Sequence, residues 1–235
     1  MTGVQTCALP ICNAEDYLQV YSTVLAKASR PVILHWLGEM FDPELSGYWG
    51  STDIPTATRT FLDLINGHSA KVDGVKVSLL SADHEQELRA ALPAGVRLYT
   101  GDDFNYPELI EGDGVHHSDA LLGAFAAIAP AAAAALSALD EDDIDGYRRE
   151  MAPTLALSRH IFAAPTYYYK TGIAFLAWLN GHQDGFVMVG GLQSARSTVH
   201  LARVFELANE AQLLTDPDLA AHRVGLLLAT AGLAR

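Results

Sequence analysis

From residue 13 onward, short apolar runs alternate with segments whose apolar positions recur every three or four residues. Asn13-Ala-Glu-Asp16 reads as a helix cap with an acidic first turn, and it leads an amphipathic helix through about residue 29. Pro31-Val-Ile-Leu-His-Trp36 follows as a strand, and after a loop holding Phe41-Asp-Pro43 and Gly47 a second helix covers roughly residues 55–66. Gly74-Val-Lys-Val-Ser-Leu-Leu80 predicts the next strand and residues 83–91 the next helix. Gly95-Val-Arg-Leu-Tyr-Thr100 predicts a third strand, closed by Gly101-Asp-Asp103. Gly114-Val-His-His117 predicts a fourth, with helix resuming at Asp119. Beyond it the pattern is almost wholly helical, with breaks expected at Pro130, Asp140–Asp143, Pro153, Pro165, Gly181–Asp184 and Asp216-Pro217. Continuous apolar strands separated by helices, with no hairpin turns, belong to a parallel sheet covered on both faces. Four such units fit half of a barrel or a small doubly wound sheet.

Composition narrows the partners. A formal net charge of −13 argues against nucleic acid, whose phosphates call for clustered Lys and Arg. An acidic surface also repels anionic membranes. The most alanine-rich stretch is interrupted by Pro130, so the sequence offers no membrane span. The first eleven residues, Met1 to Ile11, fit no fold logic and look like the in-frame translation of a sequencing adapter. A signal peptide is the rival reading, but a basic opening is lacking and the apolar stretch is short. Residues 1–12 are therefore expected to be foreign, followed by a partial barrel over 13–130 and a helical region over 131–235. Without Cys7 and Cys12 the native part has no cysteine, so no disulfide is expected and a cytoplasmic location is.

Candidate chemistry gathers at the strand ends, where parallel α/β proteins bind ligands. The first strand ends in His35-Trp36, the second carries Lys76 and Ser78, the third ends in Gly101-Asp102-Asp103, and the fourth in His116-His117-Ser118-Asp119. The chain has four lysines (Lys27, Lys71, Lys76 and Lys170), and only Lys76 stands within an apolar strand. Facing a barrel lumen, a partly desolvated amine has a lowered pKa and can condense with a ketone. The plainer alternative is an ammonium that reaches water or pairs with Asp73. Elsewhere the readings are structural. Tyr167–Tyr169 suggests packing or an oligomer contact, Gly190-Gly191 with Gln193–Arg196 a tight turn opening a helix with Arg196 in a salt bridge rather than a phosphate site, and His160, His182, His200 and His222 ordinary surface or packing residues.

Taken in order, these motifs resemble the dihydrodipicolinate synthase and N-acetylneuraminate lyase superfamily. Pro31-Val-Ile-Leu-His-Trp36 stands where that family's fifth strand reads Pro-Val-Ile-Leu-Tyr-Asn. Gly74-Val-Lys76 matches its Gly-Ile-Lys, Gly101-Asp-Asp103 its Gly-Asp-Asp, and Gly114-Val-His-His117 its Gly-Val-Ile-Ser. The resemblance covers about residues 14–180. His35-Trp-Leu-Gly38, Tyr99-Thr-Gly-Asp-Asp-Phe-Asn-Tyr-Pro107 and Tyr169-Lys-Thr-Gly172 are similar to a dihydrodipicolinate synthase-like branch with no assigned substrate.

The resemblance implies an α/β fold, namely strands 5–8 of a (β/α)8 TIM barrel with a helical C-terminal extension, the preceding half being absent from this sequence. It implies a class I aldolase or lyase acting on a 2-keto acid or a sugar-acid derivative. In it Lys76 forms a Schiff base, His35 stands in for the family's tyrosine as acid and base, and Gly101, Asp102, Asp103, His116 and His117 meet the substrate. No cofactor is expected, because the imine is itself the electron sink, and the full-length protein is expected to be a homo-oligomer. His35 and Trp36 depart from the family pattern, which puts pH dependence and pocket shape in doubt. Two rivals remain. One is a metal site built from His35, Asp102, Asp103, His116 and His117, and the other a barrel that binds a ligand without turning it over.

Overall fold

The first helix begins where its cap predicts. In the computed structural model, which describes residues 12–233, α1 spans Ala14–Lys27. Asn13 Oδ1 accepts from the Asp16 amide and Asp16 Oδ2 accepts from the Asn13 amide, a reciprocal capping box. The adapter-like stretch before Cys12 lies outside the described residues. The chain divides into two compact units, Met1–Leu122 and Gly123–Arg235.

The first unit is mixed α/β. Its strands β1 (Val32–Leu37), β2 (Val72–Ser78), β3 (Arg97–Thr100) and β4 (Asp119–Ala120) form one parallel sheet in the order β1-β2-β3-β4. Helices α2 (Ile54–Gly67), α3 (Ala82–Ala91) and α4 (Tyr106–Glu111) make the crossovers. Parallel neighbours need such crossovers, because a hairpin can join only antiparallel strands. Asp53 caps α2 by accepting from the Thr56 amide, with Pro55 in the first turn.

Side-chain alternation splits the sheet into two unlike faces. Leu34, Trp36, Val75, Val77 and Leu98 are buried in the core, where Leu25, Phe61, Leu64, Ile65 and Leu88 also pack. At its centre Trp49 is fully buried, with its ring within 4.7–6.3 Å of the rings of Tyr21, Trp36, Tyr48, Tyr17 and Phe61. Its backbone is left-handed, at φ 65°, and its indole N–H finds no acceptor among the described residues. Both features are costly, and the burial of so much aromatic surface offsets them.

The fourth strand differs from expectation. Residues 114–117 are not a strand; pairing begins only at Asp119, opposite Tyr99. Asp113 explains the shift, since its carboxylate accepts from the Val115 and His116 amides and folds the segment into a turn. Helix does not resume at Asp119 either, but at Phe125.

The second unit is helical among its described residues. It contains α5 (Phe125–Asp140), α6 (Ile144–Met151), α7 (Leu155–Ile161), α8 (Tyr169–Leu179), α9 (Thr198–Glu210) and α10 (Pro217–Thr230). Pro130, expected to end a helix, lies inside α5, and its effect is a non-helical kink at Ile128. The other breaks fall between helices, and Asp216 caps α10 just before Pro217. Among the described residues Arg196 makes no salt bridge of the expected kind. Its guanidinium donates to the carbonyls of Ile161, Ala163, Ala164 and Pro165 and so closes the end of α7. His160 and His200 stack at 4.0 Å between centroids, and Tyr169 stacks on Phe162 at 4.5 Å. Among the described residues no helix is long and apolar enough to cross a membrane.

Trp49 carries the stability prediction of this core. Trp49→Ala should lower unfolding free energy by about 3–5 kcal/mol in urea denaturation; a loss below 1 kcal/mol would mean the aromatic cluster does not hold the first unit together.

Candidate functional site

The face of the sheet opposite the helices is polar. His35 pairs with Lys76 and Lys76 with Tyr99, while Tyr99 pairs with Asp119, so four strands contribute one row of side chains. Directly opposed residues of parallel strands present side chains to the same face, which makes this row a consequence of register. Ile33, on the same face, is 44% exposed. Lys76 is half-buried in the middle of the row.

Two influences act on the Lys76 ammonium. Burial lowers its pKa, the nearby Asp103 carboxylate raises it, and burial is the stronger. The net effect enlarges the neutral, nucleophilic fraction. The alternative pairing with Asp73 does not occur. Asp73 is taken by Arg97 at 2.8 Å and by the Tyr99 hydroxyl at 2.8 Å, toward the amino end of the strands. Tyr99 can lie there because Gly74 is beneath it; a Cβ at Gly74 would stand 2.5 Å from the ring.

His35 joins Lys76 from β1. Its Nε2 is 3.0 Å from the Ser78 hydroxyl, and Ser78 is buried at the carboxyl end of β2. Enclosure of the ring and the neighbouring Lys76 charge push the His35 pKa down to about 4, so the imidazole is neutral near pH 7. Gly101 packs against both partners. A Cβ there would stand 2.1 Å from Ser78 Oγ and 2.9 Å from Lys76 Cε.

The two aspartates after β3 divide their work. Asp102 is spent on the chain itself, since its carboxylate accepts from the Phe104 and Asn105 amides and from Asn105 Nδ2. It shapes the loop that carries Asp103. Asp103 is buried and acts on Lys76 electrostatically. His116 and His117 do not join them. Both are exposed, precede β4, and line a surface hollow with Arg97, the first residue of β3, at the opposite end of the sheet. The turn made by Asp113 thus places His116 and His117, expected to meet the substrate, away from Lys76. Among the described residues no group of three or more His, Cys, Asp or Glu could hold a metal ion.

Sequence reasoning missed a buried polar network behind the row. Glu85 on α3 accepts from the Ser118 hydroxyl at 2.8 Å and from the Thr100 hydroxyl at 3.0 Å. Arg89, one turn later, donates to Ser118 Oγ and to the Leu109 carbonyl, and reaches Asp113 at 3.3 Å. Thr100 Oγ1 also accepts from the Asp102 amide, which links the network to the Gly101–Asp103 loop. Burial drives the Glu85 pKa up to about 7, against the two hydroxyl bonds that favour its charged form. The available signal was a Glu–Arg pair four residues apart around Leu88, a position that faces the core.

A parallel sheet whose strands are joined by helices packed on one face is the kind of assembly from which a (β/α)8 barrel is built. Residues 6–233 match the family described as "Protein of unknown function (DUF993)", and the chain belongs to that family. The match opens within the stretch read as foreign. In three dimensions the chain is similar to the crystal structure of a Pseudomonas aeruginosa protein named as a dihydrodipicolinate synthetase, with a TM-score of 0.65 and 18% identity. That likeness covers 85% of this chain and 62% of the other, and at such identity it is one of fold. No curated protein matches the chain in sequence.

Glu85 sets a pH dependence of stability. Its folded pKa, about 7, lies above the ordinary 4.5, so its contribution is fully present below pH 4.5 and is lost as pH rises through 7. The loss should be on the order of 3 kcal/mol. Urea denaturation from pH 4.5 to 8 should show this slope in the native chain and a flatter one in Glu85→Gln; equal slopes would rule Glu85 out as its source.

Proposed function

We propose that the protein is a Schiff-base lyase or aldolase of the dihydrodipicolinate synthase type, acting on a 2-keto acid or a sugar-acid derivative. The carrying observation is Lys76, half-buried at the centre of the polar row, with its pKa lowered by burial and a buried carboxylate beside it. The motif resemblance and the fold likeness support the same reading, in which β1–β4 would stand as barrel strands five to eight.

In this mechanism the neutral Lys76 amine attacks the ketone carbon, and the oxygen takes up a proton to give a carbinolamine. Uptake of a proton and loss of water leave a protonated imine, which draws into an enamine the electron pair of the bond between the carbon next to the imine and its hydroxyl-bearing neighbour; the hydroxyl gives its proton to solvent and that fragment leaves as an aldehyde. The reverse path forms the bond. Protonation of the enamine and hydrolysis of the imine return the amine. His35, neutral and adjacent, holds the substrate oxygen near the nitrogen through a ring N–H. Asp103 stabilises the iminium charge as it forms, and its position at the Gly101–Asp103 turn is kept by Asp102. His116 and His117 take no part.

Incubation with pyruvate and borohydride, followed by peptide mass spectrometry, tests the reading. The expected result is a reduced adduct on Lys76 that disappears in Lys76→Ala. Its rate of formation should rise with pH and level off below the usual lysine range, since the Lys76 pKa is lowered. Absence of any adduct with pyruvate and a panel of other 2-keto acids would discard the lyase and favour a barrel that binds without turnover.

A further inference from the structure

The proton on His35 can sit on either ring nitrogen, and the two tautomers offer a ligand opposite chemistry. With the proton on Nε2, that nitrogen would donate to Ser78 Oγ, and Nδ1 would present a lone pair. Ser78 would then need a second acceptor for its own hydroxyl proton. Ser78 is 3% exposed, and His35 Nε2 is the one hydrogen-bond partner of its side chain among the described residues. A buried hydroxyl left without an acceptor is costly. The other arrangement satisfies both groups: Ser78 donates to Nε2, and the ring proton moves to Nδ1.

We propose that Ser78 is a positioning residue that holds His35 in its Nδ1–H tautomer, so that His35 and Lys76 together present N–H donors to an acceptor-rich ligand. The chemistry that fits is the carboxylate and keto oxygens of a 2-keto acid rather than an alcohol or amine donor. The ligand class rests on the lyase reading above, whereas the tautomer stands on the hydrogen-bond geometry alone.

Gly101 supplies the space for this arrangement. A Cβ at that position would stand 2.1 Å from Ser78 Oγ, 2.8 Å from the Val77 carbonyl and 2.9 Å from Lys76 Cε. The Gly101 amide is itself tied to the Val77 carbonyl at 2.8 Å, so the glycine cannot retreat without breaking that bond. Absence of a side chain at Gly101 therefore seats the hydroxyl against His35 and keeps the Lys76 chain beside it. Near pH 7 the ring is neutral, held so by its enclosure and the Lys76 charge, which makes the choice of tautomer effective there.

Long-range proton–nitrogen correlation spectra of the 15N-labelled chain near pH 7 read the tautomer directly. Free imidazole side chains favour the proton on Nε2, so the expected wild-type pattern, Nδ1 protonated and Nε2 bare, is the unusual one. The His35 signals are identified by their loss in His35→Gln. Ser78→Ala should release the ring to the ordinary Nε2–H majority while the rest of the spectrum stays dispersed. A wild-type proton on Nε2, or a tautomer unchanged in Ser78→Ala, would overturn the proposal. In the borohydride assay Ser78→Ala should still label Lys76, but about tenfold or more slowly; an unchanged rate would overturn the role in ligand positioning. If the wild type shows the tautomer yet forms no adduct, the lyase reading fails and the positioning role of Ser78 stands.

Discussion

In-register pairing of β1, β2 and β3 is the constraint on which the site depends. Trp36, Val77 and Thr100 lie opposite one another, and so do His35, Lys76 and Tyr99 one residue earlier. With the first set fixed toward the helices by the core around Trp49, the second set has only the other face to occupy. A slip of one residue would drive Lys76 into that aromatic core, where an ammonium has no partner, and would expose Trp36. The hydrophobic core and the placement of the chemistry are therefore one decision. The cost of Trp49, with its left-handed backbone and unpaired indole, belongs to the same account because it fills the centre that holds Trp36 in place.

Around Lys76 the environment works by distributing carboxylates. Asp73 is engaged by Arg97 and Tyr99 at the amino end of the strands, which leaves Lys76 without an ion pair there. Asp103 remains near enough to act on the charge, yet burial outweighs it. Asp102, its neighbour in sequence, is consumed in shaping the loop. Two adjacent aspartates that look equivalent as letters thus take separate roles, one of architecture and one of electrostatics. The buried Glu85–Arg89 network supports this loop from the far side through Thr100, and reaches the start of β4 through Ser118. It ties α3, α4 and the last two strands into one hydrogen-bonded unit.

The alternation of apolar strands and amphipathic helices made the parallel sheet and its first three strands legible, because period and caps are local properties. Asn13 with Asp16 marks a helix start that the structure keeps, and the break read at Asp216-Pro217 falls where α10 opens. The lysine was legible for a related reason: a charge inside an apolar strand must find a special face. What could not be read is what depends on partners distant in sequence. The Gly114–His117 run looks like a strand, but the Asp113 carboxylate competes successfully for its amides and moves pairing on to Asp119. That shift carries His116 and His117 away from Lys76. Pro130 looks like a stop, yet α5 bends at Ile128 and continues past it. The sequence by itself determined the first three strands with the helices between them, and the presence of Lys76 among apolar neighbours. Only tertiary structure decided which carboxylate Lys76 would feel, that Ser78 would bond His35, and that Gly101 must lack a side chain, since each is a contact between separate strands or loops.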